Sequence, residues 1–168
     1  MAKNKNKNKN KKGSGNPVEG LREKLFKLNP KTLDIAPSED LPRVWGFMME
    51  IFVSQTWVNL VCIADGTVSI YIGTGGGIIG AGEHDSVRSA ARECLKKSEE
   101  ILEHLKKFVP SHLQNEEKIK FHVFTYDGIR SVEADTSEID SGKHYLSELH
   151  YYAQNVITEV RSAENSVA

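Results

Sequence analysis

The sequence predicts an α+β fold: a single five-stranded, mainly antiparallel sheet in the order α-βββ-α-ββ-α, packed by two long amphipathic helices. Three observations lead there. Asp65-Gly66 and Asp127-Gly128 each join two apolar runs, and Asp-Gly suits a type I′ hairpin turn because both central positions need positive φ. Apolar residues recur at helical spacing over 87–108 and again over 145–160. Residues 44–53 are almost continuously apolar, which fits a strand buried on both faces.

Taken in order, residues 1–17 form a Lys/Asn-rich tail too polar to bury a core, and disorder is expected. The tail holds six of the chain's 22 basic residues and no acid, so 16 bases face 23 acids in the remainder, a charge of about −7. Lys3, Lys5, Lys7, Lys9, Lys11 and Lys12 are the groups for contact with nucleic acid or an anionic membrane, although no aromatic residue is interleaved to stack on bases. Residues 18–43 comprise a short helix, with apolar residues at 18, 21, 25 and 28, and a linker punctuated by Pro30, Pro37 and Pro42. The α+β domain spans 44–162. Strands are expected at 44–53, 57–64 and 67–73, with Val68, Ile70 and Ile72 on one face. The long helix follows, capped by Asp85 or Ser86 and stopped by Pro110. Strands at 118–126 and 129–135 flank the second hairpin turn, 136–143 reads as polar loop, and the last helix frays over 163–168.

The most unusual stretch is 73–82, where six of ten residues are glycine. It matches GxGxxG at Gly75, Gly77 and Gly80, but the helix cap falls several residues later and the preceding strand is half of an antiparallel hairpin, which does not suit a Rossmann site. A phosphate loop of the NTPase type needs a following Gly-Lys-Ser/Thr, and there is none. Two readings stay open. Glycines can supply positive φ or let backbone pass close to a neighbour. Alternatively, exposed backbone N–H groups and the positive end of the helix can bind a small anion. In that case Thr74, Gly75, Gly76, Gly77, Gly80, Gly82, His84, Ser86 and Arg88 form the site.

His84-Asp85 is the one acid–base pair beside the turn, and His84 is the candidate catalytic group should the chain be an enzyme. No GxSxG, HExxH or CxxC motif occurs, and His144 and His150 lie six apart, off a shared helical face, so neither metal nor cofactor is expected. His122 alternates with apolar strand residues and reads as structural or solvent-facing. Cys62 and Cys94 sit in apolar patterns without ligand or disulfide spacing, which suits a reducing compartment, and the cytoplasm is the expected location.

The segment ADGTVSIYIGTGGGIIGAGEH, with the helix and the KIKFHVFTYDG hairpin that follow, resembles an uncharacterised bacterial domain family over 45–160. That resemblance implies no activity and no functional residues. The layout of sheet and long helices is also similar to longin-like and roadblock-like modules, which implies a scaffolding or regulatory role. The expected function is a bacterial binding or regulatory domain acting through protein contacts or self-association, with a small anion at the glycine turn. The alternatives are a small nucleotide-binding protein or enzyme using that turn and His84, and association with nucleic acid or membrane through the tail.

Overall fold

The computed structural model describes residues 17–112 and 115–167. The tail lysines lie outside the described residues. The chain is α+β around one antiparallel sheet, which has seven strands rather than five. In chain order the elements are α1 (Pro17–Phe26), β1 (Val44–Val53), β2 (Thr56–Ile63), β3 (Val68–Ile72), β4 (Gly77–Ile79), α2 (Asp85–Glu100), β5 (Lys106–Lys107), β6 (Lys118–Thr125), β7 (Gly128–Asp135), α3 (Thr136–Asp140) and α4 (Ser147–Val167). The sheet order is β4-β3-β2-β1-β6-β7-β5, so β1 is central.

The two additional strands arise where turn and helix were expected. The glycine run is itself a hairpin: Gly75 and Gly76 take φ of 105° and 83°, and Gly77–Ile79 return along β3. The long helix ends at Glu100, short of its expected end at 108. At that point Arg43 Nη2 donates to the Glu99 carbonyl at 3.0 Å, and the Glu99 carboxylate accepts the N–H groups of Arg43 and Val44 at 3.1 and 2.8 Å. These bonds fix the helix end against the start of β1. Ile101, Leu102 and Leu105 stay buried without being α-helical, and β5 then pairs with the free edge of β7. The expected loop after β7 opens with the five-residue α3, whose Ile139 is buried. The last helix continues to Val167.

The sheet has different cover on its two sides. One face carries Phe47, Met49, Leu60, Phe121 and Val123 and packs against α2 and α4 through residues such as Val87, Leu95, Leu149 and Val156. The other face carries Trp45, Met48, Val61 and Phe124 and packs against α1 through Leu25. Cover on both sides explains why β1 is buried through most of its length. No described helix is long and apolar enough to cross a membrane.

Candidate functional site

On the α1 side, the apolar layer is interrupted by a line of polar residues. Strand pairing sets Glu50 opposite Asn59 and Lys120, and His122 opposite Ser131, on one face of β2, β1, β6 and β7. Arg22 joins them from α1. It sits one turn after Val18 and so falls on the helix's buried face.

These side chains form one hydrogen-bonded chain. Arg22 Nε donates to Glu50 Oε1 at 2.6 Å, and Asn59 Nδ2 reaches the same oxygen at 3.3 Å. Glu50 Oε2 lies 2.8 Å from His122 Nε2, and His122 Nδ1 lies 2.7 Å from Ser131 Oγ. The side chains of Glu50 and His122 are 0% and 3% exposed, so the bond between them is not diluted by solvent. Phe26 and Phe108 meet the imidazole edge-on, at centroid distances of 5.1 and 5.6 Å, and hold its plane.

The protonation state follows from the partners. Burial pushes the Glu50 carboxyl up, but the hydrogen bond and charge of His122 and the charge of Arg22 outweigh it and leave Glu50 below its ordinary range. Burial pushes His122 down. The Glu50 hydrogen bond and charge oppose this, Arg22 and Lys120 add to it, and the net direction is down. While the imidazole is neutral it offers Glu50 only its hydrogen bond, and Arg22 is the cation that keeps the carboxylate ionised. An ionised Glu50 only accepts, so His122 Nε2–H donates to it. Nδ1 is then a bare acceptor, and the Ser131 hydroxyl donates to it.

Ser131 opens on a cleft of about 250 Å³ between β6, β7 and the segment after β5. Phe108, Val109 and Val132 give it an apolar side, while Lys106, Lys120 and Glu133 carry its charges. Lys120 Nζ donates to the His112 carbonyl at 3.2 Å and to Ser111 Oγ at 3.4 Å. Arg22 Nη1 donates to the Ser111 carbonyl at 2.5 Å, so the cleft wall and α1 are tied to the same polar chain. Among the described residues, Arg22 Nη2 and Asn59 Oδ1 are buried without a partner.

The residues singled out at the glycine turn are spread along a hairpin. Thr74, Gly75 and Gly76 lie exposed at its tip, and β4 carries the chain back from there, so tip and α2 N-terminus sit at opposite ends of β4. Gly80, at φ 79°, leads into the turn before α2. Gly77 and Gly82 are sites of close backbone approach, where a Cβ would fall 2.2 Å from the Ile70 carbonyl oxygen and 1.8 Å from that of Gly66. His84 precedes α2 with no side-chain cap bond, and Ser86 is exposed. Arg88 donates to the Gly82 carbonyl at 2.8 Å and pairs with Asp85. The structure therefore gathers Gly82, Asp85 and Arg88, and leaves Thr74 to Gly77 apart from them.

Sequence reading passed over Glu50, Arg22 and Ser131 and gave His122 no partner. A usable signal was present: Glu50, Asn59, Lys120 and His122 are polar residues in the middle of otherwise apolar strands. No cluster of metal-ligating side chains occurs among the described residues. Comparison with protein-family models, curated proteins and solved structures finds no match to the chain.

Proposed function

We propose that the chain is a small-ligand-binding, regulatory domain whose cleft between β6 and β7 seats a small anion with an apolar body, such as a short-chain or aromatic carboxylate. The observation that carries this reading is the cleft itself: a buried Arg22–Glu50–His122 chain ends at a hydroxyl in its floor, between Lys106, the Lys120–Glu133 pair at 3.7 Å and an apolar wall. Burying such charges costs free energy that an apolar layer would not. The chain reaches the cleft through His122 and Ser131, with Arg22 and Glu50 behind them. The regulatory part rests on a shared residue, Ser111, whose hydroxyl accepts from Lys120 and whose carbonyl accepts from Arg22. A ligand that draws on Lys120 alters the bonds to Ser111 and His112, and Ser111 also accepts from Arg22 of α1.

The test is thermal unfolding against a panel of carboxylates from acetate to benzoate, with chloride and phosphate as comparisons. A ligand at a hundredfold excess over its Kd stabilises by about 2.7 kcal/mol. The expected shift is selective for carboxylates with an apolar body and is reduced in Lys106→Ala and in Lys120→Met, which keeps the packing volume of the stem. A flat panel, or a shift unchanged in both variants, overturns the proposal.

A further inference from the structure

We infer that Ser131 is a nucleophile that accepts an acyl group from a small activated acyl compound, an ester or thioester, bound in the β6–β7 cleft. The inference rests on the proposed seating of a carboxylate there, because a carboxylate is the hydrolysis product of such a compound. Three features carry it. Ser131 Oγ is 2.7 Å from an imidazole nitrogen, within reach for proton transfer. The other nitrogen is held at 2.8 Å by a carboxylate that is 0% exposed, which fixes the tautomer and stabilises the imidazolium formed when a proton arrives. Of the three residues, Ser131 is the one that is partly exposed, and it is exposed to the cleft.

Here strand register builds the constellation, with each residue on its own strand, β1, β6 or β7. The sharp turn that presents a nucleophile in many hydrolases is not used. The order is nonetheless that of an activated nucleophile: buried acid, oriented base, hydroxyl at the surface of a pocket. The steps balance with water as the only co-reactant. As Ser131 Oγ bonds to the acyl carbon, its proton passes to His122 Nδ1. The bond to the leaving oxygen or sulfur breaks, and that atom takes the proton from Nδ1. Water then attacks the acyl-serine, giving its proton to Nδ1. The acyl–Oγ bond breaks, the carboxylic acid leaves, and Ser131 recovers the proton. Lys106 is the cationic group proposed for the oxyanion and the released carboxylate, since Lys120 is held by Ser111, His112 and Glu133.

The full chain is treated with methanesulfonyl fluoride and phenylmethanesulfonyl fluoride, and hydrolysis of 4-nitrophenyl acetate is followed in parallel. In the labelling reaction Oγ bonds to sulfur, fluoride leaves and the proton goes to His122. The expected result is one adduct by intact mass, mapped to Ser131, absent from Ser131→Ala and retained in the α4 surface variant Ser162→Ala. Ester hydrolysis should fall by about a hundredfold or more in Ser131→Ala. It should also fall on acidification, but only below the ordinary histidine value of about 6.5, because burial holds His122 low. Ser131→Ala leaves Nδ1 of the buried His122 without its donor and should cost about 1–3 kcal/mol, so its carboxylate-induced shift is read against its own ligand-free midpoint. His122→Gln is the second variant, to be compared only if its near-UV circular dichroism matches wild type. No adduct with either reagent, or an adduct and hydrolysis rate unchanged in Ser131→Ala, overturns the nucleophile. If that happens while the carboxylate shift persists and still depends on Lys106, binding stands and catalysis falls. Loss of both removes both.

Discussion

Replacing Glu50 by Gln should be among the most costly single changes in the protein. Glu50 accepts from Arg22 at 2.6 Å, from His122 at 2.8 Å and from Asn59 at 3.3 Å, and it has no exposed surface. The neutral amide keeps the shape but leaves the Arg22 guanidinium, itself 7% exposed, as an uncompensated buried charge. Removing one partner of a buried pair typically costs about 3–5 kcal/mol. For a protein of this size that corresponds to roughly a 6–20 °C drop in Tm. Arg22→Met should cost a similar amount, about 3–5 kcal/mol, because it leaves the fully buried Glu50 carboxylate without its cation. The double variant should be less destabilised than the sum of the two, since the stranded cation is gone. Urea unfolding of all four proteins, followed by far-UV circular dichroism and by tryptophan fluorescence, gives the cycle. A Glu50→Gln cost below about 1 kcal/mol, or strict additivity, would refute the claim that these charges are mutually dependent.

Acidification should weaken the fold in two stages. His122 is held below its ordinary value, so the unfolded chain takes the proton first. Stability is therefore full above about pH 6.5 and falls as pH drops toward the folded-state value. Glu50 is also held low, and its contribution is full above about pH 4.3 and lost as pH falls through its folded value. Urea midpoints at pH 8, 5.5 and 4 should decline in that order, and His122→Gln should flatten the first interval. A midpoint that rises between pH 8 and 5.5 would reverse the assigned direction. In the glycine hairpin, Gly82→Ala should destabilise by about 1–3 kcal/mol or more, because its Cβ would meet the Gly66 carbonyl oxygen at 1.8 Å. Gly75→Ala has open space and a φ of 105°, so only backbone strain of about 1–2 kcal/mol applies. Equal midpoints for the two would contradict the close approach. Cys62 and Cys94 are both buried, and burial, with Cys62 adding to it, pushes the Cys94 thiol well up. A disulfide reagent should titrate neither thiol in the native protein and both in urea.

Five of the seven strands and the hairpins that join them were legible because local signals carry them. Asp65-Gly66 and Asp127-Gly128 mark two hairpins, and Val68 and Ile70 alternate as their burial requires. What the sequence obscured has specific causes. Ile101, Leu102 and Leu105 keep helical spacing although α2 stops at Glu100, since burial in a 3-10 turn and an extended segment produces the same pattern. The helix end depends on Arg43, 56 residues away from Glu99. The glycine run hid a short strand because Gly77 offers no side chain to alternate. The candidate site was hidden by separation: Glu50 and His122 are 72 residues apart and Arg22 and Glu50 are 28 apart, and only register and the seating of α1 bring them together.

The most direct measurement is the protonation of His122 by long-range proton–nitrogen correlation NMR on uniformly labelled protein, from pH 8 to 5. The assigned bonding predicts a neutral ring at pH 7 with the proton on Nε2, bonded to Glu50, and an unprotonated Nδ1 facing Ser131. That tautomer should persist below the ordinary histidine value of about 6.5. A ring that is already an imidazolium at pH 7, or one that carries its proton on Nδ1, would leave Ser131 without a base and contradict the account at its centre.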